Sequence, residues 1–159
     1  MTSKQKRILF LGYSNTQTRL HHEIIKKGCE LIHSSKKNVD FAGFDLIISF
    51  GYRFIIPERL LKHCCPVINL HISYLPYNRG AHPNFWAHYD GTPSGVTIHL
   101  VDSGIDSGPY LYRKKIVFDT KKTTFDESYR ALLDEIENLF VRNINEILSM
   151  RFKPKTYRD

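Results

Sequence analysis

Apolar residues fall into short runs separated by polar stretches rich in Gly, Pro, Asn and Ser. Ile8-Leu-Phe-Leu-Gly-Tyr13 is a brief apolar run of the kind that forms a buried strand. Ser14 or Asn15 can then cap a helix to about Lys27, with Leu20, Ile24 and Ile25 on its apolar face and Gly28 as its stop. Cys29 to His33, Asp45 to Phe50 and Pro66 to His71 read as three further strands, and Pro57 opens a helix between the last two. Alternation of strand and helix in this half predicts a mainly parallel sheet.

The second half changes period. Asn84 to Tyr89 predicts a helix, and Ser94 to Val101 sets Val96, Ile98 and Leu100 against Thr97 and His99, as a strand does. Tyr110 to Val117 is a last strand. Asp126 to Met150 carries Leu132, Leu133, Ile136, Leu139, Phe140, Ile144 and Ile147 at helical spacing, which predicts one long amphipathic helix. Arg151 to Asp159 reads as a polar, basic tail. No repeat or linker interrupts the pattern, so residues 1–159 are expected to form a single domain.

Composition narrows the class. A chain of 159 residues that is 42% apolar can bury a core. No apolar run reaches the roughly 18–20 residues of a membrane helix, and the six-residue run behind Met1 to Arg7 is too short for a secretory signal. A cytoplasmic protein with no membrane partner is expected. Cys29, Cys64 and Cys65 are odd in number and two are adjacent, which suits reduced thiols better than disulfides. The net charge of +7 is spread along the chain rather than blocked. It reads as a solvated basic surface, and nucleic acid is not expected as a partner. His63, Cys64, Cys65, His71, His82, His88 and His99 lack zinc-ligand spacing, so no metal is expected.

Two segments carry candidate chemistry. Asn69 and His71 are two apart on a strand, so their side chains share a face at its carboxyl end, where open α/β sheets bind ligands. After the next strand, a Gly-rich loop offers Asp102 and Asp106. Each residue also has an ordinary reading: an Asn satisfying local backbone, a His satisfied in place, an Asp forming a turn. The residues alone point to an α/β enzyme with an Asn/His/Asp site.

Together the motifs say more. Asn69-x-His71, Ser73-x-Leu-Pro-x-x-Arg-Gly-x-x-Pro83 and His99-x-Val-Asp-x-Gly-x-Asp106-x-Gly-Pro109 resemble the 10-formyltetrahydrofolate-dependent formyltransferases. That family includes methionyl-tRNA formyltransferase, glycinamide ribonucleotide transformylase and the sugar N-formyltransferases. The resemblance implies a three-layer α/β/α Rossmann-like fold, a mostly parallel sheet with a late antiparallel strand, shortened here in the first half. It implies Asn69, His71 and Asp106 as catalytic residues. Tyr52, Phe54, Ile55 and Ile56, with Val101, Asp102 and Gly104 of the Gly-rich loop, are implied as the wall of the folate pocket. Ser73, Arg79, His82 and Asn84 are the expected acceptor contacts, Arg79 because guanidinium suits phosphate.

On this resemblance the formyl donor is 10-formyltetrahydrofolate and the acceptor is an amine. Leu-Pro-Tyr-Asn-Arg-Gly-Ala-His-Pro-Asn-x-Trp86 looks most like the sugar-type members, favouring a nucleotide-linked amino sugar. Methionyl-tRNA, water (a formyltetrahydrofolate hydrolase) and a non-catalytic folate-binding module are the alternatives; an oligomer is compatible with all of them. Asn69 and a protonated or hydrogen-bonded His71 are expected to steady the charge on the carbonyl oxygen, with Asp106 holding His71 and relaying protons.

Overall fold

A computed structural model describes residues 3–62 and 65–158, so the readings made for His63 and Cys64 lie outside the described residues. Six strands join one sheet in the order β2-β1-β3-β4-β5-β6. They are β1 Arg7–Gly12, β2 Glu30–Ser34, β3 Leu46–Phe50, β4 Val67–His71, β5 Ser94–Leu100 and β6 Tyr110–Ile116. The first four are parallel, and β5 runs antiparallel to both β4 and β6. This is the Rossmann-like arrangement with a late reversal that the resemblance implies.

Period-two alternation assigns each side chain to a face. Ile8, Phe10, Leu46, Ile48, Ile68, Leu70, Val96 and Ile98 point to one face and form the main core with the helices. Leu9, Leu11, Ile47 and Val67 point to the other, where Phe41 and Ile56 cover them. The main face is roofed by α1 (Leu20–Lys26), α4 (Phe125–Arg142) and α5 (Ile144–Leu148), with α3 (Pro83–Asp90) against α4. The second face has only α2 (Glu58–Leu61), a single turn, and the chain from residue 35 to 45. That is the shortening seen in the sequence. The crossover from β2 to β3 has no helix, leaving one layer thin.

Three expected elements differ. The first helix starts at Leu20, not at Ser14 or Asn15. Ser14, Thr16 and Gln17 bond among themselves and to the Ser14 backbone, which holds a turn in place of helix. The long helix is two. At Asn143 (φ −110°, ψ 12°) the side-chain Nδ2 donates to the Leu139 carbonyl at 2.8 Å, and the axis resets before α5. The long helix opens at Phe125 behind a reciprocal cap: Glu127 N donates to Thr124 Oγ1 at 3.1 Å and Thr124 N to Glu127 Oε2 at 2.8 Å. The last residues are not a free tail either, because Lys155 pairs with Tyr110 through two backbone bonds. Among the described residues no helix is long and apolar enough to cross a membrane.

Candidate active site

The site follows from strand parity. With Ile68 and Leu70 turned into the main core, Asn69 and His71 must face the thinly covered side. Pairing of β4 with β5 sets Asn69 opposite His99 and His71 opposite Thr97, so His99 faces the same way. The Gly-rich loop after β5 then brings Asp106 back over Asn69. Gly108 permits this return: a Cβ there would overlap the Leu100 carbonyl oxygen. Asp106 itself is left-handed (φ 47°), a conformation that Asp accepts more readily than most residues.

Asp106, His99 and His71 are each pinned from outside by a short bond. Gly80 N donates to Asp106 Oδ2 at 2.7 Å, His99 Nδ1 donates to the Leu100 carbonyl at 2.8 Å, and His71 Nε2 donates to the Asn78 carbonyl at 3.0 Å. Contacts among them are long. Asn69 Nδ2 lies 3.3 Å from both Asp106 Oδ1 and His99 Nε2, and Asp106 lies 3.4 Å from His99 Nε2 and 3.6 Å from His71 Nε2. His71 and Asp106 share no direct hydrogen bond, since the Nε2–H is given to Asn78. The polar atoms are thus fixed at the rear and only weakly bonded to one another in front.

Protonation follows from the surroundings. Burial lowers the His71 pKa, outweighing Asp106 and the Asn78 carbonyl, so the ring is neutral near pH 7 and does not serve as an imidazolium. With Nε2 holding the proton, Nδ1 carries the lone pair. Burial works to raise the Asp106 carboxyl, but a His99 hydrogen bond, the His71 ring and Gly80 N–H outweigh it and hold the pKa at about 2. Asp106 is thus a carboxylate. His99 faces both it and Asn69: the neutral ring accepts from Asn69, whereas a protonated ring donates to Asp106. His99 was missed as a site residue. Its sequence signal was the polar position on β5 within the quoted motif, but only strand pairing puts it beside Asn69.

The other expected residues divide. Tyr52, Ile56 and Val101 pack around one apolar cluster on the site's face of the sheet, and Phe54 lies edge-on to Tyr52 at 5.5 Å. Ile55 is 81% exposed. A recess of about 350 Å³ opens there, lined by Leu61, Pro66, Val67, Leu100, Val101 and Phe152. Val67 is two residues before Asn69 on the same strand face. Asp102 is occupied locally, accepting from Gly104 N at 3.0 Å and Ser107 Oγ at 2.6 Å. Ser73 is buried and donates to the Tyr77 carbonyl at 2.8 Å. Arg79 is exposed and adjoins Gly80, which holds Asp106. His82 and Asn84 line a separate hollow of about 260 Å³ with Ile72, Phe85, Phe125 and Tyr129. Asn84 is buried there, tying α3 to α4 through Ser128 Oγ at 3.0 Å. Among the described residues no group of three His, Cys, Asp or Glu side chains is placed to hold a metal ion.

Comparison with known proteins bears on family and fold. Among solved structures, the formyltransferase PseJ from Anoxybacillus kamchatkensis superposes with a TM-score of 0.86 at 32% identity, over 96% of this chain and 82% of that one. PseJ is in complex with UDP-4,6-dideoxy-4-formamido-L-AltNAc and tetrahydrofolate. A 4-N formyltransferase from Francisella tularensis shares the fold, with a TM-score of 0.84 at 22% identity over 97% of this chain and 74% of that one. Methionyl-tRNA formyltransferase of Geobacter sulfurreducens is 34% identical over 119 residues, which are 72% of this chain and 35% of that protein. The chain thus spans about a third of the length of that curated relative. A sequence model of the formyl transferases matches residues 14–144, from α1 to α4 and across every residue of the Asn69–His71–His99–Asp106 cluster, and the chain belongs to that family.

Proposed function

We propose that this protein transfers the formyl group of 10-formyltetrahydrofolate to a primary amine, and that the amine belongs to a nucleotide-linked sugar. The observation that carries the reading is the convergence of Asn69, His71, His99 and Asp106 on one sheet face; an apolar recess, lined by none of the four, lies two residues back along β4 at Val67. Flat rings suit such a recess, and its volume is in the range of small-molecule sites. The pterin enters along Val101 and Val67, with Tyr52 and Ile56 behind, and its formyl group reaches Asn69.

The chemistry needs no covalent enzyme intermediate. The neutral amine attacks the formyl carbon and forms a C–N bond, while charge moves onto the carbonyl oxygen. Asn69 Nδ2–H donates to that oxygen; a donor so placed is typically worth about 3–4 kcal/mol of barrier. The attacking nitrogen loses its proton to the Asp106 carboxylate, which hands it to His99 Nε2, 3.4 Å away, and His99 passes that proton to the folate nitrogen as the old C–N bond breaks. Products are a formamide and tetrahydrofolate, and the protein returns to its starting protonation.

The sugar acceptor rests on the likeness to PseJ across most of both chains and on the 75–86 stretch. Methionyl-tRNA is the second reading, favoured by 34% identity to an enzyme named for that substrate. We read residues 1–159 as one catalytic domain, since all six strands share one sheet, and assign it to the cytoplasm, where the unbridged thiol of Cys29 is at home. The test is a screen of amines with 10-formyltetrahydrofolate, following tetrahydrofolate release. Amine-dependent release with nucleotide-linked amino sugars supports the reading. Release without amine points to a hydrolase, and a preference for methionyl-tRNA or glycinamide ribonucleotide overturns the acceptor.

A further inference from the structure

Residues 77–80 form a strap across His71 and Asp106. The Asn78 carbonyl accepts from His71 Nε2 at 3.0 Å, and Gly80 N donates to Asp106 Oδ2 at 2.7 Å. Those same two side-chain atoms, Nε2 and Oδ2, lie 3.6 Å apart, too far for a hydrogen bond. The strap therefore engages both the proton that His71 would give to Asp106 and the oxygen that would receive it. A carboxylate is a stronger acceptor than a neutral carbonyl, so a ring released by the strap would turn to Asp106. The carboxylate would then draw a proton onto the imidazole, as a nearby opposite charge does. A carboxylate locked in that ion pair is a poor base for an amine.

What holds the strap lies outside the catalytic cluster. Asn78 and Gly80 are both left-handed, at φ 57° and 87°. Asn accepts that backbone more readily than most residues, but its side chain is engaged as well. Asn78 Nδ2 donates to Thr92 Oγ1 at 2.8 Å. Thr92 is itself fixed, since its N donates to the Ala87 carbonyl at 3.2 Å where α3 ends. Two residues later β5 begins, the strand that carries His99. At the near end of the strap, the buried Ser73 donates through Oγ to the Tyr77 carbonyl at 2.8 Å. Among the described residues, the titratable groups facing the His71 ring are Asp106 from the Gly-rich loop and His99 from β5, its ring centroid 6.4 Å away.

We propose that the Asn78–Thr92 hydrogen bond is a clip that fixes the strap, keeps the His71 Nε2 proton on the Asn78 carbonyl, and so leaves the Asp106 carboxylate free to take the proton of the attacking amine. Asn78 and Thr92 are positioning residues, acting through His71 and Asp106. The inference rests on the reading of Asp106 as the proton acceptor in formyl transfer.

The test compares the whole chain as wild type, Asn78→Gly, Thr92→Val and Thr92→Ser. Glycine keeps the left-handed backbone and the carbonyl at position 78 and removes only the clip. Nitrogen-15 NMR of the histidine rings reads the tautomer and the titration of His71. Tetrahydrofolate release with 10-formyltetrahydrofolate and a UDP-linked amino sugar reads kcat and both KM values. Wild-type His71 should carry its neutral proton on Nε2. In Asn78→Gly and Thr92→Val the ring should titrate at higher pH, and kcat should fall about ten- to a hundredfold. Both KM values should stay within about twofold, because a positioning residue touches neither substrate. Thr92→Ser keeps the hydroxyl and should recover most of the rate lost in Thr92→Val. A clip that served the loop's stability alone would lower Tm, by about 2–4 °C for one hydrogen bond, and leave the His71 titration where it was. That result overturns the proposal, as does an unchanged kcat in both variants or a wild-type ring protonated on Nδ1. Thr92→Val leaves residue 78 intact and decides the matter should Asn78→Gly not fold. If His71 responds as expected but no amine is formylated, the clip stands and the enzymatic reading fails. If transfer proceeds and both variants match wild type, the clip fails and the reading stands.

Discussion

Asp106→Asn tests the centre of the site. The carboxyl sits at about 2 against about 3.9 in an unfolded chain, and the side chain is only 14% exposed, so solvent screens it little. That difference makes the ionised form worth about 2.5 kcal/mol to the fold at neutral pH. Because the folded value is the lower one, this contribution is complete above about pH 4 and is lost as pH falls toward 2. Asparagine keeps an oxygen for the Gly80 N–H, so the expected loss is smaller, about 1–2 kcal/mol, or a fall in Tm of about 2–8 °C. Catalysis should suffer far more. Without a proton acceptor beside the attacking amine, kcat/KM should drop about a hundred- to ten-thousandfold, which is about 2.7–5.4 kcal/mol of barrier. Tetrahydrofolate release under saturating donor reads the rate, and calorimetry reads Tm. A variant that keeps more than a tenth of wild-type kcat/KM refutes the catalytic role, whatever its stability.

Asn69→Ala should lower kcat about a hundred- to a thousandfold with a circular dichroism spectrum like that of wild type, since the amide bonds only to site residues; an unchanged kcat would remove it from the oxyanion role. His71→Gln should flatten stability against pH. Burial lowers the folded His71 pKa, so below about 6.5 the unfolded chain takes a proton that the folded one refuses, and wild type should lose up to about 1.4 kcal/mol per pH unit relative to the variant in urea melts. Equal slopes for the two proteins would mean that the ring is charged in the fold. Gly108→Ala should cost more than about 2 kcal/mol and most of the activity, because its Cβ overlaps the Leu100 carbonyl and displaces the loop holding Asp106; a native Tm would show that the loop adapts.

Much of the site was legible in advance because its chemistry is written in local spacing. Two residues apart on a strand means one face, so Asn69 and His71 could be paired without coordinates, and the turn around Asp106 is set by its own neighbours. The apolar runs marked all six strands for a similar reason. Helix ends were less legible: Ser14, Thr16 and Gln17 could cap a helix or build a turn, and Asn143 could continue a helix or break it, with the outcome hanging on side-chain bonds of small energy.

What sequence alone determined here is identity of chemistry: an amide, an imidazole and a carboxylate on two chain segments, in an α/β frame. Tertiary structure decided their relations. It paired β4 with β5, and so added His99; it buried His71 and gave its Nε2–H to Asn78 rather than Asp106. It also bridged Lys155 to Tyr110 at the start of β6, tying down an apparent tail. The physical reason is range. Side-chain parity is dictated by neighbours along the backbone, whereas protonation, partner choice and burial depend on groups tens of residues away that meet only when the sheet closes.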